Sequence, residues 1–228
     1  QFSVLAIGII VMQSVIVQFD TLGGEMVSNA AQNGFGAANK LNNLLMTPLN
    51  GLGTAMTSFT AQNLGAGDHA RIKKGTVQAL IIVWTMCLIS IAAGLLLSRG
   101  GGYLYIFLSP DKVTAETMRY GNTYLYVDLS FYLFLGFIFV VRNCVQGIGK
   151  PQFVLGAGAA ELVARVSVCL LLPPLIAGGA VNSDAPRAAV YALCFADPFA
   201  WMAADAVLLV PFLRNIMKMD YRYLKGTM

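Results

Sequence analysis

Six ionisable side chains lie deep within long apolar stretches of this 228-residue sequence. A charge at the centre of a lipid-facing helix costs at least about 2.5 kcal/mol, so we expect these side chains to face inward and to pair. Groups held at that depth can be structural ion pairs, or they can take part in coupling transport to an ion. The six residues are Lys40, Asp128, Glu161, Arg165, Asp197 and Asp205.

Five of the six are predicted to form one network. Counting about 1.5 Å per residue along the predicted helices places all of them except Asp128 in the middle third of the bilayer. Glu161 and Arg165 are four residues apart, a spacing at which a carboxylate and a guanidinium meet on one helix face as a structural pair. The network has three carboxylates and two cations, so one carboxylate lacks a partner and could take up a proton. We favour Asp197, because Pro198 follows it and frees a backbone carbonyl nearby.

Asp128 lies nearer the outer end of its predicted helix, among Tyr124, Tyr126 and Tyr132. Two interpretations are open: a tyrosine hydroxyl that donates to the carboxylate, or a cluster that binds a cation. Arg142 stands at the other end of the same helix, where we expect its long side chain to reach the inner headgroups.

A polar stripe follows one face of the second predicted helix. At about 100° per residue its members fall within roughly a 60° arc, while the other faces are apolar. Amide and hydroxyl groups need partners in hydrocarbon, so the stripe faces either neighbouring helices or a water-filled path. Its members are Gln32, Asn39, Asn43, Asn50, Thr54 and Thr57.

Composition places these residues in a membrane protein. Hydrophobic residues make up 57% of the chain and charged residues 11%, against about 45–50% and about 25% in soluble domains. The apolar runs match bilayer-spanning helices of about 20 residues. We therefore predict an all-α, polytopic membrane protein with a six-helix transmembrane bundle. The second helix is longer than a membrane needs, so either it bends between Pro48 and Gly53 or its end extends past the headgroups. The predicted spans cover residues 1–19, 26–62, 77–97, 120–141, 152–177 and 188–213.

Lysine and arginine mark the predicted cytoplasmic side. They gather at residues 71–74, at residues 142–150 and after Arg214, whereas the intervening loops hold few. The positive-inside rule then makes the chain's carboxyl terminus cytoplasmic. The net charge of +4 is spread over helix ends rather than gathered in a groove, so the predicted electrostatic partner is the membrane surface and not nucleic acid.

Other classes of site find little support in the sequence. The cysteines, Cys87, Cys144, Cys169 and Cys194, stand singly, and His69 is the one histidine, so we predict no metal site. Nucleotide, serine hydrolase and zincin motifs are absent, and we predict a protein that is not an enzyme and has no cofactor. The chain starts without Met inside an apolar run, which suggests a fragment.

Two segments resemble multidrug and toxic compound extrusion (MATE) transporters. The run PLNGLGTAMTSFTAQNLGAGDHARIKKG (48–75) is similar to the turn after the eighth helix of that family. The run VRNCVQGIGKPQFVLGAGAAELVAR (141–165) is similar to its tenth and eleventh helices with their joining loop. The resemblance extends over nearly the whole chain, but to only the second half of such a transporter.

The resemblance implies that residues 1–228 form the carboxyl-terminal lobe of a twelve-helix transporter in the plasma membrane. Such a transporter exports amphipathic, often cationic compounds in exchange for Na⁺ or H⁺, by alternating access. The activity requires the other six-helix lobe as partner.

Many members of the family place a glutamate in the seventh helix and an aspartate midway along the tenth. Here the first span has no carboxylate, and Asp128 lies about two turns from the expected place, which argues against an ion site in this lobe. The lobe would then mainly supply the wall of the substrate cavity. The residues expected there are Gln13, Gln32, Asn39, Asn43, Asn50 and Tyr132.

Two alternatives remain at this point. A flippase for lipid-linked precursors, from the same superfamily, would use a similar bundle but should line its cavity with several cations, and Lys40 and Arg165 are few. A truncated membrane fragment or assembly subunit would not transport at all.

Overall fold

The computed structural model describes residues 2–218, with side chains from Ala6 onward, and this part of the chain is almost entirely helical. A short antiparallel hairpin, Thr21–Leu22 (β1) and Glu25–Met26 (β2), follows the first helix. The α-helices are Phe2–Gln18 (α1), Ala30–Gly65 (α2), His69–Ser98 (α3), Gly102–Phe107 (α4), Ala115–Ser130 (α5), Tyr132–Gly147 (α6), Pro151–Ala177 (α7), Arg187–Cys194 (α8) and Ala196–Pro211 (α9), and a π-helical turn, Phe212–Met217, continues α9.

The prediction of an all-α, polytopic membrane protein is confirmed. Within residues 2–218, three helical stretches are long and apolar enough to cross a membrane, and α5 with α6 makes a fourth if the bent pair is one span. Those three stretches are His69–Phe107, Pro151–Ala177 and Arg187–Met217. α2 has 36 residues, which is long enough to cross a membrane. It is not one of these three stretches, because its polar stripe lowers its mean hydropathy.

The helix bounds differ from the predicted spans mainly at the amino-terminal ends. α2 begins at Ala30 rather than at residue 26, because residues 21–26 form the hairpin. α3 begins at His69, eight residues before the predicted start, so the basic residues after residue 70 belong to its first turns. α2 continues without a break through Pro48, where a bend was one of the two alternatives. Residue 1 and the basic residues Arg222 and Lys225 lie outside the described part of the chain.

The predicted span over residues 120–141 is divided between two helices. α5 and α6 meet at Phe131 with a bend of 56°. The Ser130 hydroxyl donates to the carbonyl of Tyr126 at 2.7 Å, a bond back to the preceding turn that favours helix bending. On the far side of the bend, the Trp84 indole of α3 donates to the carbonyl of Leu133 at 3.1 Å. The bend is therefore held by side chains on both sides.

Asp20 fixes the start of α2. Its fully buried carboxylate accepts from the backbone N–H groups of Ala31 at 3.0 Å and Gln32 at 2.9 Å. These are amides that have no partner inside the helix, and a negative charge at a helix N-terminus is favourable.

Small residues let the helices around α2 approach closely. α2 packs against α3, α5 and α6, while α7 packs against α9 and α1. At Gly53 of α2, an added Cβ would lie 2.8 Å from the Phe139 carbonyl oxygen and 2.8 Å from the Asn143 amide nitrogen, both on α6. Real Cβ atoms do not approach other atoms so closely, so the α2–α6 interface depends on glycine at this position.

We expect Gly53→Ala to lower the free energy of unfolding by about 1–3 kcal/mol, because the methyl group would push α6 away from α2. Gly51→Ala is the matched control: it lies two residues earlier in the same helix, and its added Cβ meets nothing within 4 Å. The control should be neutral or stabilising, since alanine favours a helix over glycine by about 1 kcal/mol. Thermal unfolding in detergent micelles measures both, and equal shifts would contradict this account of the interface.

Candidate functional site

A chain of buried charges crosses three helices. Arg142 of α6 meets Glu161 of α7 at 2.7 Å, and Arg165 of α7 lies 3.4 Å from the other oxygen of Glu161. Arg165 also contacts Oδ1 of Asp197 on α9, at 2.7 Å from Nη2 and 2.8 Å from Nε. We call Arg142, Glu161, Arg165 and Asp197 the ion-pair chain. Its two cations and two carboxylates neutralise one another, which lowers the cost of burial.

Asp128 lies beside this chain and has partners of its own. It is fully buried, and its Oδ2 accepts from the Asn42 amide at 2.7 Å. The carbonyl oxygen of that amide accepts from the Tyr132 hydroxyl. The Tyr124 hydroxyl donates to Asp197 at 3.0 Å and interacts with Asp128 as well. We call Asn42, Tyr124, Asp128 and Tyr132 the Asp128 cluster, and Tyr124 links it to the ion-pair chain.

One oxygen of Asp128 remains without a hydrogen bond. Its Oδ1 is buried and has no hydrogen-bond partner among the side chains that the structure describes. Oδ1 of Asp205 on α9 is in the same situation. Asp205 interacts electrostatically with Arg142 and Glu161 but forms no ion pair with the described residues.

The polar stripe of α2 lines two adjoining cavities. The first has a volume of about 560 Å³ and brings Asn39, Asn50 and Thr57 together with the ion-pair chain. The second has a volume of about 550 Å³ and lies between α1 and α2, beside Gln13 and Gln32. Asn39 and Asn43 line both cavities. A single polar surface of α2 therefore borders both cavities, and the ion-pair chain lies on the wall of the first cavity.

The structure shows where the six residues predicted for the cavity wall lie. Five of the six line a cavity: Gln13, Gln32, Asn39, Asn43 and Asn50. Tyr132 does not, because it is fully buried behind Asn42. Tyr124, one helical turn before Asp128, lines the first cavity instead.

The structure separates Lys40 from the predicted charge network. Lys40 is exposed on the wall of the second cavity, whereas Glu161, Arg165 and Asp197 lie together on the wall of the first. The position of a residue along a helix does not say on which side of the helix its side chain meets its neighbours.

The expectation that Asp197 is the unpaired carboxylate does not agree with the geometry. Asp197 has Arg165 and Tyr124 as partners, because α7 and α9 pack side by side. The expectation that Arg142 reaches the headgroups also fails, since Arg142 turns inward to Glu161 and its side chain is only 14% exposed. The predicted pair of Glu161 and Arg165 is present.

Some residues of the site escaped the sequence analysis. Asn42 is one position off the polar stripe, and its amide donates to Asp128 of α5 at the edge of the first cavity. Asn143 accepts from the Thr57 hydroxyl at 2.8 Å and ties α6 to the stripe. The useful signal was an amide within an apolar helix, which requires a partner in hydrocarbon. Applied to Asn42 and Asn143, that argument predicts interhelical hydrogen bonds but not their partners.

Arg165 also depends on α1 for its position. An added Cβ at Gly8 would lie 3.0 Å from Cδ of Arg165. The aliphatic part of the arginine therefore crosses α1 at a residue without a side chain, and its guanidinium is held between Glu161 and Asp197.

Comparison with known proteins supports a relationship to transporters. A model of the MatE family matches residues 6–171, well over half of the chain. A Bacillus subtilis (strain 168) protein described as probable multidrug resistance protein YpnP is 29% identical over 168 residues. That match covers 68% of this chain and 32% of the relative, so the matched part spans about a third of the relative's length. No solved structure gives a significant match.

Removing Arg165 should destabilise the lobe strongly. Arg165→Gln leaves Asp197 buried without its cation, and breaking a buried pair on one side costs about 3–5 kcal/mol. The double variant Arg165→Gln/Asp197→Asn should recover part of that loss, because both charges are then gone. Thermal unfolding in detergent micelles measures the effect.

The control for this prediction is Arg119→Gln. Arg119 lies 3.6 Å from Glu116 in an exposed pair, and such pairs contribute about 0–1 kcal/mol. If Arg165→Gln shifted the unfolding temperature no more than this control does, the ion-pair chain would not stabilise the lobe.

Proposed function

Because the chain belongs to the MatE family, we propose that it forms one lobe of a cation-coupled multidrug exporter that works by alternating access. The proposed partners are the lipid bilayer, a second six-helix lobe and amphipathic small molecules. We place the transporter in the plasma membrane with the carboxyl terminus of this chain in the cytoplasm, following the distribution of lysine and arginine.

One observation carries the proposal: the polar stripe of α2 faces cavities rather than packed helices. Asn43, Asn50 and Thr54 are exposed within this lobe and lie on the cavity walls. The Thr54 hydroxyl donates to the backbone carbonyl of Asn50 at 3.0 Å, a bond that leaves the Asn50 side-chain amide uninvolved. Their remaining hydrogen-bonding capacity is directed to whatever occupies the cavity.

The size of the cavities agrees with an amphipathic small molecule. Each has a volume of about 550 Å³, within the range of about 300–1,000 Å³ that is typical of ligand pockets. Aliphatic and aromatic side chains alternate with the amides, as Ile9 and Phe35 do in the second cavity. Such a wall can accept the apolar body of a compound while a few polar groups orient it.

For the coupling ion, Na⁺ or H⁺, we propose Asp128 as the residue that responds. Its Oδ1 has no hydrogen-bond partner among the described side chains, and Tyr124 connects it to Asp197. A change of charge at Asp128 would therefore alter contacts that join α2, α5 and α9. We therefore assign this role to Asp128 and not to Asp197, because the carboxylate of Asp197 is already paired with Arg165.

A flippase for lipid-linked precursors is less well supported. Such a protein needs several free cations in its cavity to hold a charged headgroup. In this lobe Arg142 and Arg165 are paired with Glu161 and Asp197. Among the described residues of the cavity walls, Lys40 is then the one cation that could hold a headgroup.

Efflux of ethidium from cells that express the full-length protein tests the proposal. We expect export under a sodium gradient or under a proton gradient alone, and the gradient that drives it identifies the ion.

Asp128→Asn should abolish gradient-driven export while membrane expression stays normal, because the variant removes the charge but keeps the shape of the side chain. Asp111→Asn is the control, since Asp111 is an exposed residue in a loop turn. No export under either gradient would refute the function, and normal export by Asp128→Asn would remove Asp128 from the mechanism.

A further inference from the structure

Lys40 occupies an unusual position for a cation. It lies ten residues after the start of α2 at Ala30, about 15 Å along the helix. In a hydrocarbon core about 30 Å thick, that is close to the middle of the membrane. Lys40 is nevertheless exposed and lies on the wall of the second cavity.

Among the residues that the structure describes, none on the wall around Lys40 is a carboxylate. Its polar members are the amides of Gln13, Gln32, Asn39 and Asn43. Among the residues whose side chains the structure describes, Lys40 takes part in no ion pair. Asp20 is on the same side of the lobe, but its carboxylate is fully buried and bonded to the N-terminus of α2.

The first cavity does not offset this charge. Its wall carries Arg142 and Arg165 together with Glu161 and Asp197, two charges of each sign that are already paired. The combined polar surface therefore carries one unbalanced positive charge, on Lys40. A desolvated ammonium at that depth is costly, so an anion that enters the cavity would gain from pairing with it.

We propose that Lys40 determines the specificity of the cavity, which it directs toward amphipathic compounds that carry a carboxylate or another anionic group. The inference rests on the proposed export function and narrows its substrate class. The Lys40 ammonium offers three donors to an anion, and hydrogen bonds between charged groups are the stronger ones. The neighbouring amides of Asn39 and Asn43, one helical turn apart and bonded to each other at 2.6 Å, add donors on the same wall. A simple lipophilic cation such as ethidium lacks this contact and is expected to bind more weakly, which still permits its export.

A rhodamine free acid and its methyl ester are suitable probes, because they differ by one negative charge and share the same fluorescent ring system. Binding to the purified full-length protein is measured by fluorescence anisotropy, and export by reconstituted vesicles with the gradient that drives ethidium. We expect the wild type to bind the acid at least about tenfold more tightly than the ester. Lys40→Gln should abolish that preference by weakening acid binding alone, and Lys40→Arg should retain it.

Lys112→Gln is the matched control, since it removes the same charge from an exposed loop turn. Equal binding of acid and ester to the wild type would overturn the inference. So would a loss of affinity for both dyes in Lys40→Gln, the result expected if Lys40 pairs with a carboxylate of the second lobe. The binding measurement does not depend on transport: absence of export with a preserved acid preference would refute the proposed function and leave the selectivity of Lys40 standing.

Discussion

The contact of Arg165 with both Glu161 and Asp197 is the interaction on which the rest of the lobe depends. Arg165 is buried, so its guanidinium must have carboxylates beside it, and they come from its own helix and from α9. Arg142 adds a third helix to the same arrangement. Removal of Arg165 leaves Asp197 without its cation, and removal of Glu161 leaves Arg142 without its carboxylate. The pairing therefore fixes how α6, α7 and α9 are arranged.

This arrangement leaves the polar face of α2 to perform a different task. The four charges of the ion-pair chain are satisfied among themselves, and Asn42 of α2 donates to Asp128. The amides of the polar stripe, Gln32, Asn39, Asn43 and Asn50, line the cavities. Ion pairs and an amide surface thus line the same cavity. The pairs keep the helices in place, while the amides can bond to different ligands.

The bend at Phe131 connects these two parts. It separates Tyr124 and Asp128 on α5 from Tyr132 on α6, yet Asn42 bridges Asp128 and Tyr132 across it. Rearrangement at the Asp128 cluster would therefore act on the angle between α5 and α6 at this bend.

The sequence predicted the helices better than it predicted their partners. The apolar runs and the 3.6-residue period of the stripe located α1, α2 and α7 and gave the pair of Glu161 and Arg165, because these features depend on residues close together in the chain. The pairing of Arg165 with Asp197, the inward turn of Arg142 and the isolation of Lys40 depend on which helices are neighbours. Composition and spacing do not contain that information. The hairpin and the break at Phe131 were missed because both arise from local hydrogen bonds that have no strong residue signature.

The central claim is that the stripe of α2 faces a water-filled path, and cysteine labelling tests it most directly. Asn50→Cys and Ile89→Cys are compared in the full-length protein, using a charged thiol reagent that does not cross membranes. Ile89 is 64% exposed on α3, away from the cavities, and the native cysteines, all buried, leave the parent protein as background. The account predicts that Asn50→Cys reacts and is protected by a transported compound, while Ile89→Cys remains at background. Reaction at Ile89→Cys with none at Asn50→Cys would contradict it.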